Sequence, residues 1–224
     1  MARVERQSLT DQIVADIRQQ IVSGALPEGM PLRQERLAAE LGVSRIPLRE
    51  AIGRLEAEGL VTSVMHKGAV VSTLSLDEIR ELFEIRVQLE TWLFSLAIPR
   101  MTESDLQVAE TITHEMANSP IVEHWAELNF QFHESLYQSS NRSLALKLLR
   151  TVHDNANRYV NLQIAVAADV EQELMDHRNL IAFARLRDVE GGVAALREHI
   201  ERVADGLVDA IAESRRAKSR EDVA

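Results

Sequence analysis

Residues 37–71, LAAELGVSRIPLREAIGRLEAEGLVTSVMHKGAVV, restrict the fold more tightly than any other stretch of the chain. Leu37, Ala38 and Leu41 recur at helical spacing, and Gly42 follows where a helix end needs a residue tolerant of left-handed dihedrals. Ser44 then stands where its side-chain oxygen can cap a second helix, and Pro47 is tolerated in that helix's first turn. Leu48, Ile52 and Leu55, with Leu60 beyond them, form its buried stripe, and Gly59 closes it. Residues 60–64 and 69–73 read as two short strands around His66, Lys67 and Gly68. The pattern predicts a helix-turn-helix followed by a small β-hairpin wing.

The residues left facing outward carry the functional argument. Arg45 and Arg49 are four apart, hence on one face near the helix start, with Arg54 farther along. Base edges are met at the N-terminal end of a recognition helix. Arginine suits that position because its planar fork can grip guanine O6 and N7, or phosphate oxygens, bidentately. In the wing, beside His66, Lys67 offers a phosphate contact and Gly68 lets the backbone approach a groove. A small helical domain with a solvated basic face is the plainer reading. The full series of glycine turn, serine cap, basic first turn and glycine-containing wing favours DNA.

The DNA-reading element is too short to use the chain's apolar content, 46% of 224 residues, so a second domain is expected. The absence of cysteine excludes disulfides, thiolate metal sites and cysteine nucleophiles, and fits a reducing cytoplasm. MARVERQSL lacks a signal core, and no apolar run approaches the roughly 20 residues of a membrane span, so a soluble, cytoplasmic protein without a membrane partner is expected. The formal charge of -10 is unevenly placed: residues 1–73 hold 9 Lys+Arg and 9 Asp+Glu, leaving 16 and 26 for the rest. DNA affinity must therefore come from local placement of arginines and weaken steeply with salt.

The organisation is mainly α. Residues 8–23 read as a first helix in which Leu9, Ile13, Ile17 and Ile21 repeat every four positions, ended by Gly24. A second domain opens at Ser75, which has capping-box spacing with Glu78 before a pattern running to residue 98. Thr102 with Asp105 begins another helix, and further segments run over 121–139, 143–166, 169–186 and 188–212. These six helices with short connections predict an antiparallel bundle. The expected domains are 1–73, a winged helix-turn-helix; 74–214, a helical effector-binding and dimerisation domain; and 215–224, a charged, disordered tail.

Within the bundle, Asn129 and His133 share one helical face in LNFQFHESL. His177 and His199 lie equally far from position 188, the turn between the last two helices, so an antiparallel pair can bring them to one height. Three facing imidazoles suit zinc, nickel and related divalent ions. Chance burial of histidines that find ordinary hydrogen-bond partners accounts for the same pattern, and spacing alone leaves the two readings even. His114, His124 and His153 show no comparable pairing and read as surface or ordinary polar residues. Arg86 and Glu90, four apart, read either as a surface ion pair or with Arg86 turned toward the histidines.

GVSRIPLREAIGRLEAEGLV, residues 42–61, resembles the winged helix-turn-helix of the GntR family of bacterial transcription regulators. The resemblance implies that Ser44, Arg45, Arg49, Lys67 and Gly68 touch DNA, with Arg33 and Arg36 as weaker phosphate contacts. Ile46 stands where many relatives carry threonine. The helical half resembles the FCD effector domain of the FadR subgroup, whose pattern of an acidic residue four before a histidine and two later histidines falls on Asn129, His133, His177 and His199. There the resemblance implies a divalent metal, zinc first with nickel or manganese as alternatives, and a small carboxylate effector. Asn129 replaces the usual aspartate and brings no negative charge, which weakens the metal site or alters its ion. Arg86, and more remotely Asn157 and Arg158, are the implied effector-binding residues.

The expected function is a homodimeric, effector-responsive regulator of the repressor type, reading a palindromic double-stranded operator. A second reading keeps the DNA-binding half and makes the histidine cluster a zinc staple or a metal-free polar core. A metal-dependent hydrolase is disfavoured, because no carboxylate occupies an obvious general-base position and Asp176-His177 reverses the His-Asp order of helical phosphohydrolases. No enzyme activity is expected.

Overall fold

Ser8 starts the first helix by a reciprocal cap: its hydroxyl accepts from the Asp11 amide at 3.1 Å, and the Asp11 carboxylate accepts from the Ser8 amide at 3.0 Å. The computed structural model describes residues 8–118, 122–167 and 170–221, and the chain divides into two compact units, Met1–Leu74 and Ser75–Ala224. The division falls one residue beyond the expected boundary.

In the first unit, α1 (Leu9–Val22), α2 (Gln34–Glu40) and α3 (Arg45–Ala57) precede an antiparallel hairpin of β1 (Val61–Val64) and β2 (Gly68–Val71), paired Val61 with Val71 and Val64 with Gly68. Ile13, Val14, Ile17 and Ile21 of α1 pack with Leu37, Leu48, Ile52, Leu55 and Leu60 in one core. Leu9, expected in that stripe, is half exposed, because the buried face turns toward Thr10 and Val14 at the first turn. Gly42 has φ of 64°, so the turn between α2 and α3 is left-handed as the sequence requires. Ser44 holds the N-cap position in an extended conformation, but its hydroxyl makes no capping hydrogen bond; the expected side-chain cap is not formed. A contact not legible in the sequence flanks the wing, where Leu32 donates to the Ala69 carbonyl at 2.8 Å and Pro31 bridges Val70.

The second unit contains α4 (Leu76–Ala97), α5 (Glu103–Asn118), α6 (Val122–Tyr137), a 3-10 turn at Gln138–Ser140, α7 (Ser143–Ala167), α8 (Val170–Leu186) and α9 (Val189–Glu221). Helix α4 packs against α6, α7 and α9, and α5 against α6 and α8. The break expected near Pro120 lies outside the described residues. The α8–α9 turn is set by Arg187, at φ of 58°, whose guanidinium donates to the carbonyls of Ile98 and Met101. Gly191 makes room at the start of α9: a Cβ there would stand 2.6 Å from Cε1 of Phe183. The expectation of a disordered tail from residue 215 is corrected, since α9 continues to Glu221. ESRRAKSRE holds no glycine or proline and consists mainly of strong helix formers, so propensity carries the helix past its last apolar position. Among the described residues no helix is long and apolar enough to cross a membrane.

Candidate functional site

On the first unit, α3 presents Arg45 and Arg49 on its exposed face. Arg45 pairs with Glu35 at 2.8 Å, an exposed contact that DNA can displace at little cost. Arg49 has no ion-pair partner among the described residues. Arg54 is held differently, its Nη1 lying 2.5 Å from Asp11 of α1, and Arg36 is engaged with Glu40 at 2.6 Å. Arg33 is exposed at the N-cap of α2. Across the wing tip Met65, His66, Lys67 and Gly68 are exposed, with φ of 65° at His66 and 74° at Gly68. The basic first turn of α3 and the wing tip are thus free to meet a nucleic-acid surface, while Arg54 is tied to α1.

In the second unit, α6, α8 and α9 bring His133, His177 and His199 into a triangle whose three ring-centroid separations are each 5.3 Å. All three are buried, and one ligating nitrogen from each falls within 4.8 Å of the others. Phe132 stacks on His177 at 4.0 Å, giving the triangle an apolar wall. Burial, foremost, pushes both His133 and His177 well below the ordinary histidine value, so both are neutral near pH 7.

Two carboxylates determine the tautomers. Glu90 of α4 accepts from Arg86 Nε at 2.7 Å and from the Tyr137 hydroxyl at 2.7 Å, and lies 3.0 Å from His153 Nε2. Burial alone would raise its carboxyl, but Arg86, His153 and His133 together hold it well below the ordinary carboxylate range. An ionised Glu90 can only accept, so Tyr137 donates to it and its oxygen is left to accept from His133 Nδ1, 3.2 Å away. The lone pair of His133 is therefore on Nε2. Asp176 plays the same part for His199: it lies 3.1 Å from Nδ1, and hydrogen bonds led by that from His199 outweigh its burial and keep it ionised. Arg202 Nη2 lies 3.4 Å from the same nitrogen and pairs with Asp176. The nearer acceptor directs the Nδ1 proton of His199 to Asp176.

The resulting arrangement is rich in acceptors. His133 Nε2, both ring nitrogens of His177 and the Asn129 Oδ1 atom are buried without a hydrogen-bond partner. Buried polar atoms without partners are costly when dry, and a cation bound by the lone pairs of the three histidines would satisfy them. His133, His177 and His199 therefore fit a divalent metal, and Asn129, one turn before His133, carries a buried, unpartnered Oδ1.

Several expectations need correction. Arg86 and Glu90 form a buried ion pair, since the face of α4 that carries them is enclosed by the bundle. His153 is buried against Glu90 on α7, a position that no local spacing betrays. Asn157 and Arg158, the more remote candidates, are both buried on α7, where Arg158 Nε donates to the Asn155 carbonyl at 3.2 Å. His114 is exposed as expected, and the side chain of His124 lies outside the described residues. The sequence reading missed Tyr137 and Glu173, although the spacing of four from His133 and His177 was a usable signal.

Comparison with known proteins agrees with both halves. Residues 9–71 match the family described as bacterial regulatory proteins, gntR family, and residues 81–202 match the FCD domain. The chain is similar to the gluconate operon transcriptional repressor of Bacillus licheniformis, 27% identical with 92% of this chain and 88% of the relative covered. It is also similar to the transcriptional repressor RspR of Escherichia coli, 24% identical with 90% of each covered. Among solved structures, Escherichia coli McbR/YncC shares the fold at a TM-score of 0.79 and 23% identity, over 91% of this chain and 99% of that one. A putative GntR regulator from Rhodococcus does so at 0.80 and 20%, over 90% and 98%. These families and relatives are regulators of transcription, not enzymes. An exposed arginine face on a winged helix-turn-helix, joined to a helical unit with a buried histidine triangle, thus belongs to a DNA-binding transcription regulator of the GntR family with a C-terminal FCD effector domain.

Proposed function

We propose that this regulator acts in the cytoplasm as a homodimeric repressor whose FCD domain holds a divalent metal, zinc first, and binds a small carboxylate there. The observation that carries the reading is the buried triangle of His133, His177 and His199, with one ligating nitrogen from each within 4.8 Å and with His133 Nε2, both His177 nitrogens and Asn129 Oδ1 lacking a hydrogen-bond partner. Three imidazoles and an amide oxygen suit zinc or nickel, and such an ion supplies Lewis acidity toward a carboxylate oxygen. Arg86, paired with Glu90, sets the charge around the site; a direct clamp on the effector would require it to leave that pair. One relative is named for the gluconate operon, and gluconate is a carboxylate of the proposed class.

Two recognition helices related by twofold symmetry would read a palindromic operator with half-sites about one helical turn apart. His133 and His177 are fully buried, so an effector that reaches them must open the helices around them. That opening supplies the differential affinity between two conformations without which a ligand shifts nothing. The same burial favours a second reading, in which the ion is a staple between α6, α8 and α9.

Thermal denaturation with sugar acids, dicarboxylates and amino acids separates the readings. A ligand at about 100 times its Kd adds about 2.7 kcal/mol, which raises Tm by several degrees. The effector reading predicts that shift in zinc-loaded protein and its loss in chelator. Absence of any shift across the panel contradicts it and leaves the staple.

A further inference from the structure

Leu82, Ile85, Leu89, Trp92 and Leu96 of α4 repeat at alternating spacings of three and four, the seam pattern of helices that pack side by side. The chain leaves that seam uncovered: Ile85 is 39% exposed and Trp92 45%, and the other three are half-buried. Helix α7 adds Leu144 at 71% and Leu148 at 54%, one turn apart on one face. Arg100 Nη1 donates to the Ser140 carbonyl just ahead of α7, and Glu90 meets His153 at 3.0 Å, so α4 and α7 run antiparallel. Trp92 and Leu96 lie between those two ties on α4, as Leu144 and Leu148 do on α7. Phe94 abuts Gly192 of α9, so Trp92, about 200° round the helix from it, is on the flank turned from α9. Arg150 lies over Phe130 of α6, so Leu148 is likewise on the flank of α7 turned from α6. The exposed apolar side chains thus share one outer face of the α4–α7 pair.

At about 200 Å² for a fully exposed large apolar side chain, Ile85, Trp92, Leu144 and Leu148 offer roughly 400 Å². Two such faces supply about 800 Å², nearly the apolar part of an interface that buries about 1,600 Å² in all. Charge is arranged for the same partner. Glu78, Glu81 and Glu84 are exposed where α4 begins, and Arg100, Arg142 and Lys147 at the opposite end, where α4 finishes and α7 begins. A twofold axis across the helices lays the acidic end of one copy against the basic end of the other, twice. Resting on the homodimer reading above, we propose that this face is the dimer interface, covered by α4 and α7 of a second copy in a four-helix contact anchored by Trp92. Arg86, Glu90 and His153 lie on the buried sides of the same two helices, so the interface and the charges beside the histidine triangle share one wall.

Sedimentation velocity of the full-length protein over a series of micromolar concentrations tests this. Wild type sediments as a dimer, and Trp92→Glu combined with Leu148→Glu raises the dimer Kd at least about 100-fold, since each charge enters the contact twice. Leu144→Glu alone, at the most exposed of the four positions, weakens the dimer about tenfold and serves if the pair does not fold. Far-ultraviolet circular dichroism checks folding. Leu186→Glu, at an exposed apolar position outside the face, leaves the dimer intact. Variants that fold and remain dimeric overturn the proposal while leaving a homodimer held by another surface. Equal dissociation by Leu186→Glu overturns it too, because the effect would then not belong to this face. A wild type that is monomeric across the series overturns the homodimer reading, and this proposal with it, leaving the face to a different partner.

Discussion

Tyr137 donates its hydroxyl to Glu90 at 2.7 Å, and through that bond a carboxylate on α4 determines which nitrogen of His133 on α6 carries its lone pair. Glu90 also neutralises Arg86 and receives His153, so one buried charge organises three helices. Buried charges are stable only while their partners remain.

Glu90→Ala therefore leaves Arg86 buried and unpaired, and should cost about 3–5 kcal/mol of effector-domain stability, read by urea denaturation. Tyr137→Phe removes one hydrogen bond and should cost about 1–3 kcal/mol. A loss below about 0.5 kcal/mol for Glu90→Ala would show that the pair is not held as described.

Arg49 and Arg54 sit on the same recognition helix but should behave differently. Arg49→Ala should weaken binding to DNA enriched by selection with the wild-type protein by about 10- to 100-fold, with stability unchanged within about 0.5 kcal/mol. Arg54→Ala loses an ion pair to Asp11, so its larger effect should be on stability and its effect on DNA affinity smaller. Fluorescence anisotropy at fixed salt measures both. Equal losses of affinity would mean that the reading face extends to Arg54.

Asn129→Asp should tighten Zn²⁺ binding by adding an anionic ligand, and should destabilise the chelated protein by placing an unpaired carboxyl among acceptors. The opposite signs in the presence and absence of metal are the signature, read as Tm with Zn²⁺ and with chelator. A variant destabilised equally in both conditions would place Asn129 outside the centre.

Local signals made much of this legible in advance. Helix spacing and the Gly42 turn located the winged helix, and symmetry about the Arg187 turn brought His177 opposite His199, 5.3 Å apart between ring centroids. What escaped were partners set by the three-dimensional packing of the bundle. His153 meets Glu90 across 63 positions of sequence, and Arg202 reaches Glu173 across 29, separations for which periodicity carries no information. The tail lacks apolar periodicity, yet α9 continues through it on helix propensity, a signal that periodicity does not carry.

The claim on which the account turns is that the triangle of His133, His177 and His199 holds a metal ion. Elemental analysis of protein purified without chelators or a histidine tag tests it most directly, alongside His133→Ala and His177→Ala variants shown to be folded. The account predicts about one divalent ion per chain in wild type and less than about a tenth of that in either variant. Wild-type protein without bound metal, or variants that retain the full amount, would contradict it.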